Sequence, residues 1–208
     1  MNALGSEDPR RHSPAAERNG PSILAQLQQW LPDQGVLLEV ASGTGQHAAF
    51  FSDGLPGWQW QPTDLEADTL ASINAHCVGL ARVRPALRLD VLAMPWSAEL
   101  PRVVDAMFCA NMIHIAPWAC TAALMQGAGR HLAAQGVLVT YGPYLEVDVP
   151  TAPGNVAFDA DLRSRDIGWG LRRLADVAAQ AQAAGLALRT RVAMPANNLL
   201  LVWARIQP

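Results

Sequence analysis

Val36-Leu37-Leu38-Glu39-Val40-Ala41-Ser42-Gly43-Thr44-Gly45-Gln46-His47-Ala48 is the stretch that decides the fold. Its first five residues are an apolar run broken by one acid, the outline of a buried strand. A turn with two glycines follows, and the residues through Phe51 read as a helix. Glycine lacks a Cβ, so the backbone there turns tightly and can approach a ligand. Gly43 to Ala48 also satisfies G-x-G-x-x-A, the strand-turn-helix pattern that binds dinucleotides. Alone, the pattern does not choose between a nicotinamide dinucleotide and S-adenosylmethionine (SAM).

Upstream, Ile23, Leu24, Leu27, Trp30 and Leu31 fall on one helical face. This predicts a helix that starts near Pro21 and ends at Pro32. Downstream, strands are predicted at Trp58–Asp64, Leu87–Asp90, Val103–Ala110 and Val137–Tyr141. Helices are predicted after Asp64, marked by Leu70, Ile73 and Cys77, and over about 117–133. Residues 143–155 read as a loop rich in Pro and Gly. Leu171, Leu174, Val177, Ala178 and Ala181 mark a last helix, closed by Gly185. The runs 186–193 and 198–206, joined through Met194-Pro195-Ala196-Asn197, read as a closing hairpin. Strand and helix alternate, which predicts a mostly parallel sheet covered on both faces, with one of the last two strands reversed. The expected organisation is a flexible leader over 1–11 and one α/β domain over 12–208.

Ligands of such sheets bind beyond the carboxyl ends of the strands. The polar and glycine residues gather there: Ser42, Gly43 and Gly45 after the first strand, Asp64 after the second and Asp90 after the third. Asn111 and His114 follow the fourth, Tyr141 and Tyr144 the fifth. Three features favour SAM. Glu39 places a carboxylate where it faces a cationic ligand end, and a pyrophosphate would be repelled there. Asp64 suits the ribose hydroxyls of either ligand, although an N-cap role competes. Asp90 adds an acid suited to an adenine amine. The chain is also short for the second domain of a dehydrogenase.

Composition limits the alternatives. Half of the 208 residues are hydrophobic, only 16% are charged, and the net charge is −3. All fifteen basic residues are arginines, without a basic run, which argues against a nucleic-acid partner. Cys77, Cys109 and Cys120 have no CxxC spacing and read as reduced thiols. The histidines at 12, 47, 76, 114 and 131 pair at neither i+3 nor i+4, so no metal site is expected. No apolar run is long enough to span a membrane, and a cytoplasmic location is the default expectation.

Several strings are more specific than the glycine turn. They are Ser13-Pro14-Ala15-Ala16-Glu17-Arg18-Asn19, Ala41 to His47, Asn111-Met112-Ile113-His114-Ile115 with Pro117-Trp118, Tyr141-Gly142-Pro143-Tyr144, Trp169-Gly170 and Pro195-Ala196-Asn197-Asn198. Glu39 to Gly45 resembles the first motif of class I SAM-dependent methyltransferases, with Ala41 where many of them have glycine. Together the strings resemble the methyltransferase-like family filed as domain of unknown function 938, over about residues 12–206. The resemblance implies a Rossmann-like seven-stranded sheet with a reversed last strand, SAM as cofactor and a small-molecule methyl acceptor. It favours His12 to Asn19 as a lid over the cofactor, with Arg18 as a cofactor contact. It places the acceptor near Asn111 and His114. His114 is then a candidate base and Tyr141 a candidate to orient the acceptor, with packing as the alternative for both. An NAD-binding oxidoreductase and a non-catalytic SAM-binding module remain alternatives.

Overall fold

The computed structural model describes residues 8–207. Of the expected leader, residues 1–7 lie outside the described residues. Its last residue is fastened: Arg11 donates its backbone N–H to Ser72 Oγ at 2.8 Å, and its carbonyl meets His76 Nε2 at 2.8 Å.

The first helix, α1, spans Pro14–Trp30, seven residues earlier than the sequence predicts. Ser13 caps it, accepting the Ala16 N–H at 3.2 Å, and Pro14 fills the first turn. Pro21 sits inside the helix. Tertiary contacts override its breaking tendency: Asn19 meets His47 at 2.7 Å, and Gly20 lies against the Phe50 ring.

The elements that follow are β1 (Gly35–Glu39), α2 (Gln46–Gly54), β2 (Trp58–Asp64), α3 (Ala67–His76), β3 (Leu87–Arg88), β4 (Val104–Ala110) and α4 (Ala119–His131). Then come β5 (Leu132–Gly142), β6 (Tyr144–Leu145), α5 (Pro153–Arg165), β7 (Arg172–Arg173), α6 (Leu174–Ala183), β8 (Leu186–Met194) and β9 (Asn198–Arg205). Seven strands form one sheet in the order β3-β2-β1-β4-β5-β9-β8. The first five run parallel, and β9 is antiparallel to both β5 and β8. The expected α/β sheet with its closing antiparallel hairpin is therefore the observed one. The hairpin turns at Ala196 and Asn197, both with left-handed φ.

Alternation along the strands sends neighbouring side chains to opposite faces. Leu38, Met107, Leu138 and Trp203 join the core under α4 and α6. Leu37, Phe108, Val139 and Val202 join Ile23 and Phe51 in the core under α1 and α2. β1 is apolar on both sides for this reason.

Helix α5 and the two-stranded β6–β7 pair are absent from the sequence reading. Among α5 residues only Leu162 is buried, so no apolar stripe announces the helix. It is held at its surface by the i,i+4 pairs Asp159–Arg163 (3.0 Å) and Asp161–Arg165 (3.7 Å). Among the described residues no helix is long and apolar enough to cross a membrane.

Candidate functional site

The order reverses between β1 and β4, and the β1–α2 turn lies beside that switch. Ala41, Gly43 and Gly45 all have left-handed φ, at 58°, 59° and 90°. Ala41 thus holds, as a non-glycine residue, a conformation that glycine takes freely. The turn is clamped from both sides. Ser42 N–H donates to Thr63 O at 2.8 Å, and Ser72 Oγ donates to Thr44 O at 2.8 Å. At Gly45 a Cβ would meet Ile73 Cα at 2.5 Å; at Gly43 it would meet nothing within 4 Å. Gly45 is therefore required by packing, whereas Gly43 borders open space.

Glu39, at the end of β1, is 2% exposed. Its Oε2 accepts the Trp60 indole N–H at 2.8 Å, and Ser42 also hydrogen-bonds it. Burial outweighs these bonds and pushes the carboxyl up to about 7. Asp64, at the end of β2, accepts the Gly43 N–H at 2.9 Å and the Leu65 N–H at 2.8 Å. It therefore ties the glycine turn to the next strand end and serves the start of α3 as well. Burial raises its pKa, and the backbone N–H groups oppose this. Asp90 lies just past β3 and accepts the Leu92 N–H at 2.9 Å.

Replacing Asp64 with Asn keeps one acceptor and loses the charge. If the turn holds SAM, Asp64→Asn is expected to fold and to bind it about ten-fold more weakly, the scale of losing part of a charged hydrogen bond. Calorimetry that finds unchanged affinity would remove Asp64 from the site.

The other strand ends form a cleft of about 510 Å³. Arg18 and Asn19 of α1, Asn111 after β4, Tyr141 of β5 and Phe158 and Arg165 of α5 line it. Arg18 and Tyr141, predicted from sequence, thus meet in one cavity. Within the polar segment 12–19, residues 14–19 form the start of α1 and Ser13 caps it. Ser13 N–H reaches Gln46 at 2.6 Å, and Asn19 reaches His47. His47 is pushed down to about 4 by burial. Neutral at pH 7, its Nε2–H donates to Asn19 Oδ1.

His114 lies elsewhere than a free base would. It is wholly buried, edge-on to Tyr144 at 4.9 Å, and a Cβ on Gly142 would meet its Nε2 at 2.5 Å. Neither ring nitrogen has a hydrogen-bond partner among the described residues. Burial, with Arg172 nearby, pushes it down to about 3. Its surroundings match the packing alternative. The unfolded chain protonates below the ordinary value of 6.5, and the folded chain only near 3. Wild-type stability contributed here is therefore lost as pH falls through 6.5. We expect His114→Leu to gain about 2 kcal/mol relative to wild type between pH 6.5 and 5, at 1.36 kcal/mol per unit. Denaturant titrations at both pH values measure this, and a constant difference would contradict it.

Arg172 escaped the sequence reading. It donates to the carbonyls of Ile113 (3.1 Å), Ala116 (2.9 Å) and Gly168 (2.6 Å), locking the segment after β4 beneath the end of α5. Only an isolated Arg-Arg pair marks it in the sequence. Trp118 and Trp169 stand outside the cleft lining and stack on Arg172 and Arg165.

The profile of a family described as "Protein of unknown function (DUF938)" matches residues 10–205. The chain belongs to this family. This DUF938 protein also resembles solved methyltransferase structures. The mitomycin 7-O-methyltransferase MmcR superposes with a TM-score of 0.77 at 15% identity, over 92% of this chain and 54% of that one. Human N-acetylserotonin methyltransferase in complex with SAM gives 0.77 at 13%, over 93% and 53%. CalO1, a methyltransferase in calicheamicin biosynthesis in its SAH-bound form, gives 0.72 at 17%, over 92% and 55%. The DUF938 chain thus has the class I methyltransferase fold and spans little more than half the length of these structures.

Proposed function

We propose that this protein transfers a methyl group from SAM to a small-molecule acceptor. The observation that carries the reading is the β1–α2 turn. It has open space in front of Gly43, Asp64 bonded to the Gly43 N–H, and an acid buried behind it at Glu39. These residues fit SAM. Ser42, Gly43 and Gly45 would bring backbone close to its amino-acid part, and Asp64 and Asp90 would take the ribose and adenine. Glu39 would compensate its positive charge. Asn111 borders both cofactor and acceptor.

Bound SAM supplies a methyl group on a sulfonium, whose departure leaves a neutral thioether. With so good a leaving group, the protein mainly has to align the acceptor and exclude water. Tyr141 faces the cleft. Burial raises its pKa, so near neutral pH its hydroxyl orients by hydrogen bonding and does not abstract a proton. His114 positions: its carbonyl accepts the Gly170 N–H at 2.9 Å and its ring supports Tyr144. The methyltransferase and SAM-bound neighbours support the same reading at the level of fold.

The test is release of S-adenosylhomocysteine (SAH) when protein and SAM meet fractionated small metabolites. Release with an acceptor gaining one methyl supports transfer. Saturable SAM binding without release from any fraction supports the non-catalytic alternative.

A further inference from the structure

The carboxyl edge of the sheet is divided by charge. Glu39, Asp64 and Asp90 stand at the ends of β1, β2 and just past β3. The cleft on the β4–β5 side has two arginines and no Asp or Glu in its lining, in a chain with 18 acids.

The two arginines come from different elements. Arg18 of α1 has no ion-pair partner among the described residues. Arg165 of α5 rests on the Trp169 ring at 5.0 Å and pairs only with Asp161, at 3.7 Å. That i,i+4 pair is exposed on both sides and yields readily to a better-placed anion. Three of the cleft's four asparagine side chains are engaged within the protein. Asn155 Nδ2 donates to Asn197 O at 2.9 Å, Asn198 Nδ2 donates to Pro195 O at 3.0 Å, and Asn19 is held by His47. Phe158, Ile115 and Pro143 supply an apolar wall. What remains to recognise a ligand is the Asn111 amide, the Tyr141 hydroxyl, an aromatic surface and two guanidiniums; of these only the guanidiniums are charged, and their planar forks match a carboxylate. A volume of about 510 Å³ holds a small molecule of one to three rings.

We propose that the acceptor is an anion, a carboxylate on an apolar ring-sized body, with Arg18 and Arg165 gripping the charge and Phe158 covering the body. This rests on reading the edge as a SAM site, since the cleft is otherwise a binding site without a reaction. The same chemistry has a second source, the amino-acid carboxylate of the cofactor itself, and the test separates the two.

SAH binding is measured first, by calorimetry. SAH-saturated protein is then titrated with one- and two-ring aromatic carboxylates, 6-hydroxy-2-naphthoate among them, each beside its neutral primary amide. We expect the best acid to bind at least about ten-fold more tightly than its amide, the scale of a charged hydrogen bond. Added salt should narrow that gap, and Arg18→Ala and Arg165→Ala should each narrow it with the fold intact. Equal affinity of acid and amide overturns the proposal, as does failure of every acid to bind. So does displacement of the acids by SAH, which assigns the arginines to the cofactor. Absence of SAH binding refutes the methyltransferase reading instead, and the acid-to-amide ratio without SAH still scores the anion site.

Discussion

At pH 8 the Glu39→Gln protein is expected to unfold with a free energy about 3 kcal/mol above wild type, at 1.36 kcal/mol per pKa unit. It is also expected to bind SAM about 30-fold more weakly, within the 1.5–3 kcal/mol span of charged hydrogen bonds. The two effects have one origin. Glu39 is buried, and burial pushes its carboxyl from 4.5 to about 7. Below pH 4.5 it is protonated in both folded and unfolded chains and costs nothing. As pH rises, the unfolded chain gives up its proton first, so the folded state loses stability until pH passes about 7. Gln has the same shape and keeps an oxygen for the Trp60 N–H. The gain at pH 8 should therefore vanish at pH 4, and urea titrations at both values test it. A gain of equal size at both pH values would contradict the burial argument. A cationic ligand favours the ionised acid, so wild-type SAM affinity should also rise between pH 6 and 8, and that of Glu39→Gln should not. A chain that retains a destabilising buried acid at a strand end fits a site kept for binding.

Gly45→Ala is expected to cost about 3–4 kcal/mol of stability, combining overpacking with an unfavourable φ. The added Cβ would meet Ile73 Cα at 2.5 Å, and φ is 90°. The obstacle is the backbone of α3, which a rotamer change cannot relieve. The same change at Gly43, where φ is 59° and the space is open, carries only the conformational cost of about 1–2 kcal/mol. A fall in stability no larger at Gly45 than at Gly43, by thermal or denaturant unfolding, would mean that α3 is not packed against the turn as described.

These contrasts also explain what could be read from the sequence. β1 and its turn were legible because the apolar run, the acid and both glycines fall within eleven residues. The closing hairpin was legible because two strand-like runs flank a Pro-Ala-Asn turn. The start of α1 was misplaced because Pro14 and Pro21 both suit a first helical turn, and only the contacts of Asn19 and Gly20 with α2 decide between them. α5 was invisible because a helix with one buried residue has no stripe, and with it Phe158 and Arg165 were missed as cleft residues. His114 was located correctly along the chain, after β4 and beside Asn111. Its burial depends on Tyr144, Gly142 and the 168–172 segment, which no local pattern in the sequence reports.

The central claim is that the acidic strand ends hold SAM, and direct calorimetry of the intact protein with SAM, SAH and NAD tests it. One saturable site is expected for SAM and SAH, weakened by Glu39→Gln and Asp64→Asn, with no heat from NAD. Saturable binding of NAD with none of SAM would contradict it.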